Sequence, residues 1–422
     1  MENNYVETKK YNRLTPVIAS IGVQLCMGTG YIWSVFQSYL IITKTTPNAL
    51  FHWPATHGTL AYALLLGLLA VGALIGGIIQ NRHSPREVMI VAAVLMGGGF
   101  FMAQYTTEST PWVLWIGYGV LPGLGMGMAY TNTISCCQRW FPDKRGFITG
   151  IVVSALGIGG LIFTPLAEHL INTYGVMATF KFLGIIFFIV CIVISFFIKN
   201  PPEGFRPDGW TPPPPKYGLI VQDFTPKEVL RTPQFYLTAL VYLCATSAGS
   251  MMIPMAKILG LQPTSGLTKE AAIAGVMVIA VCNALGRIVW GAVSDRIGRR
   301  KTIRLLLIIT IISIICVAFT HSYLMLVLIG VIAFSYGGFL GVFPALTADF
   351  WGPKNVATNY GLVMLGFGVG VVVSSFTVAF LSKNQAFSTA FIIAAAAAAV
   401  GLVILSIQRP PKHKDEYKPT AK

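Results

Sequence analysis

About twelve stretches of roughly 20 apolar residues follow one another along this chain, and in lipid such a stretch has a single way to fold. A bilayer core holds no water to satisfy backbone amides and carbonyls. A segment that crosses it must close its hydrogen bonds internally as an α-helix, unless strands close into a barrel. The stretches lie near residues 15–42, 55–79, 87–105, 111–138, 147–170, 176–198, 233–258, 270–294, 302–320, 322–347, 356–382 and 385–407. They predict an all-α membrane protein embedded in a lipid bilayer. Charged residues make up only 11% of the 422, against about 25% in soluble domains.

The net charge of +15 does not point to nucleic acid, because a basic footprint needs a water-facing domain on which to cluster. The basic residues test orientation instead, since Lys and Arg concentrate in cytoplasmic loops. With the N-terminus inside, the inner segments take Arg82, Arg86, Arg139, Lys144, Arg145, the cations of 199–231 and 296–304, Lys354 and both terminal segments. The outer side takes Lys44, Lys181, Lys257, Lys269 and Lys383. We therefore expect a multi-pass protein of the plasma (bacterial inner) membrane with both termini cytoplasmic. The first helix is too long for a signal segment and is expected to stay uncleaved. The seven cysteines lie in apolar stretches without ligand or disulfide spacing, so neither metal nor cofactor is expected.

One long polar interruption, residues 199–232, carries Pro201, Pro202 and a proline run over 212–215. Such composition favours an extended, semi-rigid linker. It divides the chain into an N-terminal six-helix half (1–198) and a C-terminal half (233–408), with a cytoplasmic tail at 409–422. The halves echo each other. Gly77, Asn81, Arg82, Ser84 and Arg86 follow the second span; Gly291, Asp295, Arg296, Gly298 and Arg300 follow the eighth in the same spacing. Segments 139–146 and 349–354 form a second, looser pair. Duplicated bundles put a binding site between the halves near the midplane.

The segment from Gly291 to Arg300 resembles the signature loop of the major facilitator superfamily, and the twelve-span plan matches that family over nearly the whole chain. The resemblance implies two pseudo-symmetric six-helix bundles. The first copy departs from the pattern, with Asn81 and Ser84 where Asp and Gly are usual. In such a loop Asp295 can accept hydrogen bonds from helix N-terminal amides and from a nearby Arg, tying two helix ends together. Arg145, Arg296, Arg299 and Arg300 are the candidate partners of this latch. The other reading of the basic loop residues is that they only anchor topology.

One cation falls inside a span. Arg287 stands eight positions before Asp295, about 12 Å up the helix at 1.5 Å per residue. A charge at that depth costs about 2.5–3.5 kcal/mol on insertion scales. All fifteen acidic residues read as loop or span-end positions, so a substrate carboxylate, held through a bidentate fork, is the expected counter-charge. Asn283, four residues earlier, shares the helix face and could add an amide contact. Snorkelling or carbonyl capping is the alternative role for Arg287.

Segment 283–291, with 139–146, Asn359-Tyr360-Gly361, Thr232-Pro233-Gln234-Phe235 and Phe343-Pro344, resembles the oxalate/formate antiporter family and its neighbours, the monocarboxylate transporters. The resemblance implies that Arg287 occupies the position of a carboxylate-binding arginine in span eight. It also implies that Tyr31, Tyr130, Tyr336 and Phe367 are pocket residues, where packing is the other role open to each ring. The oxalate antiporter carries a second cation, a lysine in span eleven; Phe367 stands there in this chain. One buried positive charge balances one carboxylate, whereas a dianion leaves an excess charge in a low-dielectric site.

These readings converge on a secondary transporter of a small monocarboxylate of the lactate or pyruvate type, with a proton as the co-substrate. A monomer is expected. An oxalate/formate-type exchanger and a non-transporting organic-acid sensor are the alternatives. An enzyme is not expected: no nucleophile–base constellation or phosphate-cradling loop stands out.

Overall fold

The computed structural model describes residues 12–41, 49–202, 204–207, 222–260, 266–320, 322–383 and 387–412. Among these, twelve helices are long and apolar enough to cross a membrane. They are α1 (Leu14–Leu40), α2 (Ala55–Gln80), α3 (Pro85–Ala103), α4 (Pro111–Trp140), α5 (Arg145–Tyr174) and α6 (Val176–Ser195), then α7 (Pro233–Gly260), α8 (Lys269–Ile297), α9 (Arg299–Ala318), α10 (Ser322–Trp351), α11 (Val356–Lys383) and α12 (Phe387–Ile407).

Several helices outrun the apolar stretches that predicted them. α5 begins at Arg145 and ends at Tyr174, and α10 continues to Trp351, because a helix started in lipid goes on until a cap stops it. Gly298, at φ +93°, ends α8 and allows α9 to start on the next residue. Glycine tolerates that left-handed backbone without a Cβ clash. Ser84 starts α3 through a capping box, its hydroxyl accepting from the Glu87 amide while the Glu87 carboxylate accepts from the Ser84 amide;.

Two spans are not uniform. α1, expected as one continuous helix, tightens into a 3-10 turn over Gly28–Ile32. There Gly28 abuts the backbone of Gly159 and Gly160 on α5, where a Cβ would come within 2.5 Å of Gly159. α4 widens into a π turn over Trp115–Val120 just before Pro122, which absorbs the hydrogen bond that a proline cannot donate.

Helices α2 and α11 pack closely, as do α5 and α8, so the first six spans meet the last six along two seams. The seams are lined with glycine. An added Cβ at Gly77 would lie 2.6 Å from Ala357 and Thr358 of α11, and Gly146 and Gly291 face each other where α5 meets α8. Close backbone approach is the usual device for packing helices in lipid, where no hydrophobic gain separates helix from solvent. Gly77, Gly146 and Gly291 lie toward the face that carries the basic loops, called here the basic face.

The predicted linker is described only at its ends. Its first part is tied to α4, where the Trp140 indole donates to the Lys199 carbonyl at 2.7 Å and packs edge-on against Phe205. Its last part docks on the other half. The Phe224 amide donates to the Trp351 carbonyl at 2.9 Å, and the Asn355 and Asn359 amides donate to the Phe224 carbonyl. The proline run at 212–215 and tail residues 413–422 lie outside the described residues.

Candidate substrate site

Between the two sets of six helices lies a cavity of about 480 Å³, walled by α1, α2, α4, α5, α7, α8, α10 and α11. Its walls are largely apolar, among them Met27, Leu69, Met126, Leu156, Leu340 and Met364. Polar groups are interspersed: Tyr62, Tyr130, Ser250, Asn283, Arg287 and Tyr336 line the same space, with Gln37, Thr59 and Ser375 toward its far end. The cavity runs away from the basic face, toward Gln37, Thr59 and Val378 near the far ends of α1, α2 and α11. On its basic side, Met27, Leu69, Arg287 and Met364 are the last lining residues of their helices.

Arg287 forms part of the floor. It is 1% exposed, yet it borders the cavity. Its Nε donates to the Asn283 side-chain oxygen at 3.2 Å, and its Nη1 donates to the Val153 carbonyl of α5 at 2.5 Å. Asn283 was expected as a further contact to the substrate; it lines the cavity and its side-chain oxygen holds the guanidinium from the same helix face. The carbonyl contact was open in the sequence only as an alternative, and it now stands beside the cavity position. Bonds of a charged donor are worth about 1.5–3 kcal/mol each, comparable to the insertion cost of the charge. These two acceptors are uncharged and orient the guanidinium.

The α8 backbone is fixed as firmly as the side chain. Gly150 of α5 and Gly341 of α10 both press on the Arg287 carbonyl, and Gly337 presses on that of Asn283. Any side chain at Gly150 or Gly337 would overlap those oxygens.

The other candidates divide. Tyr130, Tyr336 and Phe367 line the cavity with Arg287. Tyr31 belongs to the 3-10 turn of α1, and its side chain lies outside the described residues. Two tyrosines that were not site candidates lie behind the wall. The Tyr242 and Tyr360 hydroxyls are 3.2 Å apart, Tyr360 packs 6.3 Å from Tyr130 and Tyr242 packs 5.7 Å from Phe367. Tyr360 stood in the sequence only as a letter of the Asn359-Tyr360-Gly361 motif, and no motif marked Tyr242.

On the basic face a polar cluster joins the halves. Asp295 accepts from the Gly146 amide at 3.0 Å and the Phe147 amide at 2.8 Å, and pairs with Arg299 at 2.6 Å. Arg299 also reaches Asp349 at 3.0 Å, and Arg145 reaches the same carboxylate at 3.4 Å. Arg300 is elsewhere: it donates to the Leu405 and Gln408 carbonyls at the end of α12. Arg296 is exposed. The contacts expected of a latch are thus made by Asp295, Arg299 and Arg145, with Asp349 in addition. In the first copy the degraded Asn81 instead donates to the Thr358 hydroxyl at 2.8 Å, an uncharged tie between α2 and α11.

Residues 18–287 and 266–422 match the Major Facilitator Superfamily model. The chain belongs to the major facilitator superfamily. It is 30% identical over 372 residues to YhjX, an uncharacterised MFS-type transporter of Escherichia coli strain K12, covering 88% of this chain and 87% of that protein. It is 28% identical over 358 residues to the oxalate:formate antiporter of Oxalobacter formigenes, covering 82% of each. Among solved structures, the superfamily transporter FucP in its outward conformation superposes with a TM-score of 0.68 at 13% identity, over 94% of this chain and 100% of that one. A likeness at that identity speaks for the fold alone. The superfamily member described here is a twelve-span membrane transporter whose relatives include an antiporter of small anions.

Proposed function

We propose that this transporter carries a small monocarboxylate of the lactate or pyruvate type by alternating access between two six-helix halves, with Arg287 binding the carboxylate. The observation that carries the reading is a nearly fully buried guanidinium in the wall of a largely apolar cavity. The fork supplies orientation and charge; the methionine and leucine walls receive the short alkyl part. Tyr130 and Tyr336 line the same cavity, which supports a role for their hydroxyls in bonding the second carboxylate oxygen or a 2-hydroxyl group.

The positive-inside pattern supports a plasma-membrane orientation with the basic face and both termini cytoplasmic, so the cavity described above faces outward. The proposal for energy coupling is proton symport, the proton travelling with the acid. An oxalate/formate exchange is the second reading, favoured by the 28% identity to the oxalate:formate antiporter. Against it stands Phe367, an apolar ring in the cavity wall, where a dianion would call for a second cation.

Uptake of radiolabelled lactate, pyruvate, formate and oxalate into proteoliposomes, with and without an inward proton gradient, tests the proposal. Gradient-stimulated uptake of lactate or pyruvate is expected. Uptake of oxalate in exchange for internal formate, indifferent to the gradient, would support the second reading. Binding without uptake of any acid would mark a sensor.

A further inference from the structure

Arg287 reaches across from α8 to α5. Its Nη1 donates to the Val153 carbonyl, and those two helices form one of the seams between the halves. A helical carbonyl already accepts from the amide four residues on, here that of Gly157, but its oxygen has a second lone pair. The bond therefore stitches the seam at the cavity floor, on the basic side of Leu156.

The cavity can open toward the basic face only if this seam parts. A carboxylate arriving from the far side meets the same guanidinium, and a hydrogen bond between two charged groups is roughly twice as strong as one to a neutral acceptor. We propose that the bound carboxylate takes over the Arg287 donor now held by the Val153 carbonyl, so the anion itself unfastens α5 from α8. The empty carrier stays stitched and closed on the basic side; the loaded one is released to reorient. This rests on the reading of Arg287 as the carboxylate-binding residue and adds what that binding does to the seam.

A different account would have the buried charge alone govern reorientation, through the cost of occluding it. The two differ in sign for a variant without the charge. If Arg287 is a stitch, Arg287→Met loosens the empty carrier; if it is only a buried charge, the variant closes more readily.

Spin labels at Lys144→Cys and Arg304→Cys, both exposed positions outside the Asp295 cluster, report the opening by pulsed electron resonance in nanodiscs. Cys282 and Cys316, the two cysteines not fully buried, are first changed to Ala. Without ligand, the parent protein should give one short distance, and Arg287→Met should raise the long-distance population about fivefold or more. An unchanged distribution, or a tighter one, would overturn the stitch. Lactate calorimetry on the same samples keeps the two ideas apart. Lost binding with unchanged distances leaves the carboxylate site standing and removes the stitch; retained lactate binding by Arg287→Met removes the site assignment itself. Should Arg287→Met not purify as a single species, Arg287→Lys replaces it. A lysine ammonium lacks the rigid fork that spans Asn283 and Val153, so the same opening is expected to a smaller extent, and its absence would likewise overturn the proposal.

Discussion

The Asp295 carboxylate caps the first turn of α5 by accepting from the Gly146 amide at 3.0 Å, which joins the end of α8 to the start of a helix 149 residues away in sequence. The unsatisfied amides of a helix N-terminus carry partial positive charge, and an acceptor carboxylate there is worth about 0.5–2 kcal/mol. This contact spans the two halves, so its energy goes into the balance between closed and open basic faces.

Asp295→Ala should therefore shift that balance toward opening by roughly two- to thirtyfold. Alkylation of a cysteine introduced on the basic-face side of the cavity floor measures it. A rate equal to that of the parent protein would mean the cap is not part of closure.

Asp349→Asn should do far less, although it removes partners from both Arg145 and Arg299. Asp349 is 40% exposed at the side chain, and pairs of that kind contribute about 0–1 kcal/mol and fade with salt. The alkylation rate is expected to stay within about threefold of the parent and to converge on it at high ionic strength. A shift as large as that of Asp295→Ala would contradict this ranking.

Glycine substitutions should separate by what a new methyl meets. At Gly150 it overlaps the Arg287 carbonyl, and at Gly98 nothing lies within 4 Å. Gly150→Ala should push α5 from α8, lower thermal stability and abolish transport. Gly98→Ala, in the interior of α3, should be neutral or stabilising by about 0.5–1 kcal/mol. Melting curves in detergent and uptake assays on both variants decide it; equal behaviour would contradict the seam geometry.

Phe367→Lys would add a second cation to the cavity wall. Oxalate affinity should rise and lactate affinity fall by about tenfold, as the excess charge of a dianion gains a partner. Unaltered oxalate binding in calorimetry would remove the charge-matching argument.

Much of this was legible in the sequence because lipid allows so few solutions. The spans follow from hydropathy, and Arg287 stood out as the cation farthest from any loop. The i,i+4 spacing put Asn283 beside it before any coordinates existed. What the sequence hid has a common physical origin. The Val153 carbonyl that receives Arg287 is backbone, identical in every residue, so no side chain marks it. The start of α5 and the end of α10 were underestimated because those terminal turns carry Arg145 and Asp349, which hydropathy reads as loop although a helix needs only its hydrogen bonds to continue. The partition of the arginines was equally hidden. Arg299 and Arg300 are neighbours in sequence, but the helical turn of 100° between them sends one to Asp295 and the other to the end of α12.

The central claim is that the guanidinium of Arg287 holds the transported carboxylate, and lactate uptake by proteoliposomes containing equal amounts of inserted wild-type or Arg287→Ala protein tests it most directly. The account predicts that uptake falls by about a hundredfold or more, the scale of losing a charge-assisted pair, while insertion and monodispersity persist. Lactate uptake by Arg287→Ala at the wild-type rate would contradict it.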